Sequence, residues 1–485
     1  MEREQERKQN STQTSKTSRK NHEFVVVTYF FLAIFIGMIA YFVYYQAVKS
    51  EEFISSSYNK RQDLFAQKVV RGDILSSEGY VLATTNTDAQ GNESRYYPYA
   101  NMFSHIVGYA TNGKSGIESF ANLNLLRSHT FFLEKAVNEL QGEKSKGDNV
   151  VTTLNFDLQV TAYDALGNYD GAVIVLEPST GKILCMVSKP DFDPNNIAEE
   201  WETLTAEENE SSVLLNRATQ GLYPPGSTFK ILTTLAYIRQ NPDYENYTYT
   251  CESRFATEDI VIRCANNKTH GQLDLKDSFA ESCNSSFASL GLSLDMEEFS
   301  EMCNDMLFNE ALPTKFESSK SRFSLGTDAS TDDIVQTSIG QGKTLVTPLH
   351  MALLTAGIAN NGVVMTPYVI DHTENYEGTV VKSFEPKEYK TIMTEEEAAI
   401  LQEYMQAVVE YGTAEALSGA GYMAAGKTGS AEFSTDKDAS HAWFVGYAHQ
   451  EGKEDIAIAV IVENSGLGSK YAVPIAKKVF DAYYQ

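Results

Sequence analysis

Tyr223-Pro224-Pro225-Gly226-Ser227-Thr228-Phe229-Lys230 is the stretch from which the rest of this 485-residue chain is read. Pro225 and Gly226 break whatever precedes them. Ser227 then opens the run Phe229 to Ile238, apolar enough to predict a buried helix. Ser227 and Lys230 sit on one face of such a helix, about a turn apart. A lysine held among apolar side chains loses hydration, which favours its neutral amine. A neutral amine beside a hydroxyl can take its proton and make a serine nucleophile. Taken alone, the pattern reads more readily as an N-capping serine after a Pro-Gly turn, with a surface lysine. S-x-x-K also occurs at Ser57/Lys60, Ser179/Lys182 and Ser434/Lys437, so only its company distinguishes Ser227.

That company is two further motifs in order. Ser282-Cys283-Asn284 lies where a loop is expected to enter a helix. Lys427-Thr428-Gly429, followed by Ser430, is the one K-T-G in the chain and lies on an expected strand. S-x-N recurs at Ser57-Tyr58-Asn59, so it too is weak by itself. The three in sequence carry the argument.

Together they resemble the penicillin-binding protein and serine β-lactamase superfamily. Arg71-Gly72-Asp73-Ile74-Leu75, Gly116-Ile117-Glu118, Asn216-Arg217-Ala218, Gly340-Gln341-Gly342 with Thr347-Pro348, and His441 to Gly446 extend the likeness to class B penicillin-binding proteins. The fit is best to short members with a small pedestal. Cys283 in the middle of S-x-N and Ser430 after K-T-G, where threonine is more usual, are mild departures.

The resemblance implies an α+β fold: a transpeptidase domain with an antiparallel sheet flanked by helices plus a helical subdomain, preceded by a small mixed pedestal and one transmembrane helix. It implies a serine-type D-Ala-D-Ala transpeptidase that crosslinks peptidoglycan stem peptides and is acylated by β-lactams. Ser227 would be the nucleophile and Lys230 its base. Ser282 would relay the proton to the leaving D-alanine, and Asn284 would hold the substrate amide and Lys230. Lys427 would keep Lys230 deprotonated by like charge and attract the terminal carboxylate, aided by Thr428 and Ser430 around Gly429. A membrane-embedded glycosyltransferase is the implied partner.

Composition bounds the alternatives. Lys+Arg 39 against Asp+Glu 65 gives a net charge of -26, which argues against a nucleic-acid partner. Phe24 to Tyr45 carries no charge and is long enough to cross a bilayer, with basic residues before it and Glu51 and Glu52 after it. The positive-inside rule predicts a single-pass protein of the bacterial cell membrane, its N-terminus cytoplasmic and its catalytic part outside. No small-residue cleavage site follows, so the segment reads as a retained anchor. The expected divisions are a disordered cytoplasmic tail (1–23), the anchor (24–45), the pedestal (46–147) and the transpeptidase domain (148–485).

Five cysteines make an odd count, and Cys251 with Cys264 is the one disulfide pair the spacing suggests, flanking two short paired strands. With no Cys-x-x-Cys or His-x-x-x-His spacing, neither a metal site nor a cofactor is expected.

Along the chain, Val69 to Leu75 and Tyr80 to Ala83 predict a hairpin, and Val150 to Leu154 a strand followed by a helix capped by Asn155 or Asp157. Gly171 to Glu177 and Lys182 to Ser188 predict another hairpin, whose turn removes Ser179/Lys182 from contention. Trp201 to Glu210 reads as a helix. Ala425 to Phe433, His441 to Tyr447 and Ile456 to Val462 read as strands and Val473 to Tyr484 as a closing helix, which predicts one sheet built from both ends of the domain.

Three competing functions remain. A D,D-carboxypeptidase or β-lactamase would hand the acyl group to water. A penicillin-sensing receptor would need a cytoplasmic effector larger than 23 residues. A noncatalytic scaffold would have no use for an intact serine–lysine set.

Overall fold

The computed structural model describes residues 2–46, 66–206, 208–209, 211–257, 260–432 and 440–485. It divides into two units, residues 1–62 and 63–485. Ser57, Asn59, Lys60, Ser434 and Lys437 lie outside the described residues.

In the first unit a single helix runs Glu2–Tyr44. Its Phe24–Tyr44 portion is 21 residues of mean hydropathy 2.4, with no part buried, long and apolar enough to cross a membrane. Residues 2–23, expected to be disordered, continue this helix. Their Glu, Gln, Lys and Arg content suits a helix, and growth from an already formed apolar segment avoids a second nucleation.

The second unit is built on a five-stranded antiparallel sheet with spatial order Met423–Glu432, Ser440–His449, Ile456–Val462, Gly171–Leu176, Ile183–Lys189. Every residue of Gly171–Leu176 and Ile456–Val462 is buried, so both faces of the sheet are covered. Helices Pro348–Ala359 and Gly468–Tyr484 pack against it. The predicted union of strands from the two ends of the domain is therefore present. Phe156–Leu166 is capped by Asn155, whose side chain accepts from Leu158 N. The acidic helix forms over Ile197–Leu204, earlier than expected. Ile197 is buried, and Trp201, one turn on, packs edge-on against Tyr109, so these apolar anchors rather than the acidic composition set its position.

Helices Lys230–Gln240, Leu275–Ala280, Asn284–Ser293, Met296–Asp305, Thr331–Ser338 and Glu395–Glu410 make up the helical part. Thr394 and Glu397 close the last of these with a capping box.

A second, mixed sheet has the order Val380–Ser383, Ile370–Glu374, Asn149–Thr152, Ile74–Leu75, Val81–Thr87, Glu93–Tyr96. It draws strands from before residue 148 and from beyond residue 369. The expected strand Val69–Leu75 is split. Val69–Val70 pairs in parallel with Ser145–Lys146, and Ile74–Leu75 forms the predicted hairpin with Val81–Ala83 around Gly79 at φ 89. Between the two halves, Gly72 lies so close to the backbone of Asp148 that a Cβ would stand 2.0 Å from its carbonyl oxygen.

Arg71 turns inward there and meets Glu118, with Nε to Oε2 at 2.6 Å, while Arg95 Nε reaches Oε1 at 2.6 Å. Asn122 also accepts from Arg71. Two separate motifs of the sequence, Arg71-Gly72-Asp73 and Gly116-Ile117-Glu118, are thus one buried ion cluster. Burial opposes the charge on Glu118, but the two guanidinium groups outweigh it and hold the carboxyl below its usual range.

Candidate active site

Tyr223 to Lys230 is fixed from three sides. Tyr223 exchanges both backbone hydrogen bonds with Val346, at 3.0 and 2.8 Å. Its hydroxyl donates to Glu463 Oε1 at 2.7 Å, and the same oxygen accepts from Arg217 Nε at 2.7 Å. Trp443 Nε1 donates to Pro224 O at 3.0 Å. Gly226, at φ 55, donates its amide to Gly340 O at 2.8 Å. Ser227 then lies in a 3-10 turn, Gly226–Phe229, that leads into helix Lys230–Gln240. Phe229 is buried against Phe299, Phe308 and Phe323, which anchors the turn in the core. Ser227 itself is only half-buried.

Lys230 is fully buried, and its amine donates to Ser282 O at 2.8 Å, Ser282 Oγ at 3.1 Å and Asn284 Oδ1 at 2.7 Å. The first two sequence motifs therefore meet at one nitrogen. Asn284 is oriented by donating Nδ2 to Arg263 O at 3.0 Å. Ser282 has φ 55, the left-handed backbone that turns its carbonyl and hydroxyl back toward the lysine. Cys283 caps helix Asn284–Ser293 as expected of a loop entering a helix. Burial lowers the Lys230 pKa to about 7, opposed by Cys283 and Cys264.

Lys427 lies on Met423–Glu432, which among the described residues is an outer strand of its sheet and packs on the 3-10 turn bearing Ser227. A Cβ on Gly429 would meet Pro225 O, Thr228 Cγ2 and Trp443 Cβ at 3.0 Å, so the strand approaches the turn as closely as glycine permits. Lys427 is buried, its amine 5.5 Å from the centre of the Phe279 ring. Burial drives its pKa well down, and the charge on Lys230 adds to this. Desolvation and the like charge of Lys427 were both expected to keep Lys230 neutral, and desolvation is the cause that leads. Thr428 Oγ1 is 2.6 Å from Thr413 Oγ1, and Ser430 Oγ accepts from Gly468 N at 3.2 Å. Gln341 Nε2 donates to Ser430 O at 3.3 Å, so Gly340-Gln341-Gly342 touches both the Ser227 turn and the K-T-G strand.

Sequence reasoning did not identify Glu463, Thr413 or Arg263, each of which orients a motif residue from a distant segment. It also paired Cys251 with Cys264 and expected no metal-binding group. Their sulfurs are 3.7 Å apart as free thiols, and Cys283 and His270 converge on them. The ligand-type residues come from four separate segments, so no short motif announces them.

Residues 171–481 match the penicillin binding protein transpeptidase domain, and residues 71–150 match the penicillin binding protein A dimerisation domain. The chain is 30% identical over 446 residues to the peptidoglycan D,D-transpeptidase PbpA of Mycolicibacterium smegmatis, covering 85% of this chain and 88% of that protein. The crystal structure of PBPA from Mycobacterium tuberculosis superposes with a TM-score of 0.77 at 28% identity, covering 86% of this chain and 99% of that one. The imipenem acyl-enzyme complex of the same mycobacterial protein gives a TM-score of 0.76, also at 28% identity, over 87% of this chain and 100% of that one. The family resemblance drawn from S-x-x-K, S-x-N and K-T-G is borne out: the chain belongs to the penicillin-binding protein transpeptidase family.

Proposed function

We propose that this chain is a membrane-anchored peptidoglycan D,D-transpeptidase that forms a serine acyl-enzyme with stem peptides and with β-lactams. The observation that carries the reading is the Lys230 amine. It is dry, lies at the start of the helix that follows Ser227, and is within hydrogen-bond reach of both Ser282 Oγ and Asn284 Oδ1.

Ser227 Oγ attacks the carbonyl between the last two D-alanines, with Lys230 accepting its proton. As the C–N bond breaks, Ser282 passes its hydroxyl proton to the departing D-alanine nitrogen and takes the one held by Lys230, 3.1 Å away, so no charge is stranded in the site. Gly226 lies so close to Ser430 that a Cβ would stand 3.0 Å from its carbonyl. That proximity favours the amides of Ser227 and Ser430 as a shared oxyanion hole. Lys427 and Thr428 attract the terminal carboxylate, and the outer edge of strand Met423–Glu432 can pair with an extended donor peptide. An amine of a neighbouring stem peptide then takes the acyl group. The reading divides the chain into tail (1–23), anchor (24–45), pedestal (46–147) and transpeptidase domain (148–485). The N-terminus is cytoplasmic, the catalytic part is outside, and a membrane glycosyltransferase supplies glycan.

Tethering favours transfer over hydrolysis, because both substrates of a crosslinking enzyme are immobile. Incubation with penicillin should add one penicilloyl mass, mapped to Ser227. With a stem-peptide donor and an added amine, aminolysis should exceed hydrolysis. Rapid penicillin turnover, or hydrolysis indifferent to amine, would favour a hydrolase.

A further inference from the structure

Directly behind Ser282-Cys283-Asn284 lies a second group of reactive side chains. Strand Tyr249–Cys251 pairs with Gly271–Leu273, Cys251 opposite Gly271, which sets His270 beside Cys251. The hairpin Arg254–Ala256 with Val261–Arg263 returns the chain to Cys264, whose amide donates to Ser253 O at 2.9 Å. Cys283 arrives from the catalytic turn. Cys251 Sγ is 3.7 Å from Cys264 Sγ and 3.3 Å from His270 Nδ1, and Cys264 Sγ is 3.7 Å from Cys283 Sγ. All four potential ligand atoms lie within 4.8 Å of one another.

A tetrahedral zinc ion, bonded to sulfur at about 2.3 Å and to nitrogen at about 2.0 Å, holds neighbouring sulfurs about 3.8 Å apart and sulfur from nitrogen about 3.6 Å. A disulfide would need about 2.05 Å and would leave Cys283 and the imidazole unaccounted for. The surrounding packing points the same way. Around these three buried cysteines the local apolar cluster adds only Leu273 and the half-buried Tyr249. So small an apolar cluster calls for a staple.

We propose that Cys251, Cys264, His270 and Cys283 bind one zinc ion, and that the ion fixes the turn carrying Ser282 and Asn284. Three thiolates and one imidazole form a closed set with no open position, which suits a structural zinc rather than a catalytic one. Binding releases the thiol protons to solvent and changes no oxidation state. Ser285 Oγ, 3.3 Å from Cys264 Sγ, can donate to that thiolate. Arg263, next to Cys264, accepts the Asn284 amide, so two ligands bracket the side chain that holds Lys230. The metal site stands on this geometry alone, whereas its positioning role rests on the active-site reading above.

The test uses the full chain in detergent, purified without chelator. Elemental analysis should find about one zinc per chain. Cobalt(II) exchange should give the intense visible bands of a tetrahedral ion with thiolate charge transfer. Cys264→Ser and His270→Ala should lower zinc occupancy, and His270→Cys should restore it. Ser227→Ala should abolish penicillin labelling with zinc unchanged, which separates failure of the metal site from failure of the catalytic assignment. Stripping zinc should slow acylation about tenfold, reversibly. Folded wild-type chain without zinc, an octahedral cobalt spectrum, or a Cys251–Cys264 disulfide in a non-reduced digest would overturn the site. Unchanged acylation after zinc removal would overturn the positioning role. If the ligand variants do not fold, wild-type stoichiometry and the cobalt spectrum decide.

Discussion

Gly226 and Gly340 are in backbone contact: Gly226 N donates to Gly340 O at 2.8 Å, and a Cβ on Gly340 would stand 1.7 Å from Gly226 O. Gly340 also has φ 83, so a side chain there is strained as well as obstructed. Gly340→Ala should push the Ser227 turn away from Ser430. Acylation by a fluorescent penicillin should fall about a hundredfold, and urea unfolding should show a loss of about 2–4 kcal/mol. Gly342→Ala, whose Cβ would meet only Gln336 Cβ at 3.3 Å and Thr337 Oγ1 at 3.9 Å, should cost acylation much less.

The buried amine sets a pH dependence. In the proposed mechanism its neutral form is the base, and the Lys230 pKa is lowered to about 7 by burial. Acylation should therefore rise with pH up to about 7 and level off above it. Desolvation, not a charge on Lys427, sets this shift, so Lys427→Ala should slow the reaction while leaving the limb in place. Lys427→Arg keeps a cation for the terminal carboxylate but not the geometry, so it should be slowed less. Stopped-flow acylation across pH measures both; a limb displaced to higher pH in Lys427→Ala would show that Lys427 does set the Lys230 shift.

Ser227→Ala should abolish labelling while leaving the fold intact. Pro225, not Ser227, occupies the cap position of the 3-10 turn, so stability should change by no more than about 0.5 kcal/mol. Peptide mapping of the wild-type adduct should find Ser227 and not Ser179, which sits in the tight turn before strand Ile183–Lys189.

Glu118 predicts an acid sensitivity. Its folded pKa is depressed, so its stabilising contribution is present above the ordinary carboxylate range and is lost as pH falls through the folded pKa. Glu118→Gln leaves Arg71 and Arg95 partly uncompensated. At pH 7 it should cost about 3–5 kcal/mol, and the difference from wild type should shrink only as pH falls below the ordinary carboxylate range, as urea titrations at several pH values would show.

The proposed catalytic set was legible because its signals are local: Pro-Gly before a serine, an apolar helix behind it, and K-T-G on an expected strand. Arg71 and Glu118 were also visible as separate motifs, but their ion pair was not, since nothing in either segment names its partner. Pairing of Asn149–Thr152 with Ile370–Glu374 leaves no local trace for the same reason. The residues around Cys283 illustrate the limit most sharply. Cys283 was read as the variable middle of S-x-N, and its relation to His270 exists only after two hairpins have folded back.

The five-stranded sheet imposes an order of events on synthesis. Gly171–Leu176 pairs on one side with Ile183–Lys189, available at once, and on the other with Ile456–Val462, among the last segments made. The strand carrying Lys427 reaches this sheet only through Ser440–His449 and Ile456–Val462. Until residue 462 is free, the sheet exists only as two separate hairpins, residues 171–189 and 423–449, and such hairpins are barely stable in water. The catalytic half of the chain must therefore stay unfolded through most of its synthesis and close late. Its long-range pairings make that closure slow, and a chain truncated anywhere before Ile456 should yield no penicillin-reactive protein at all.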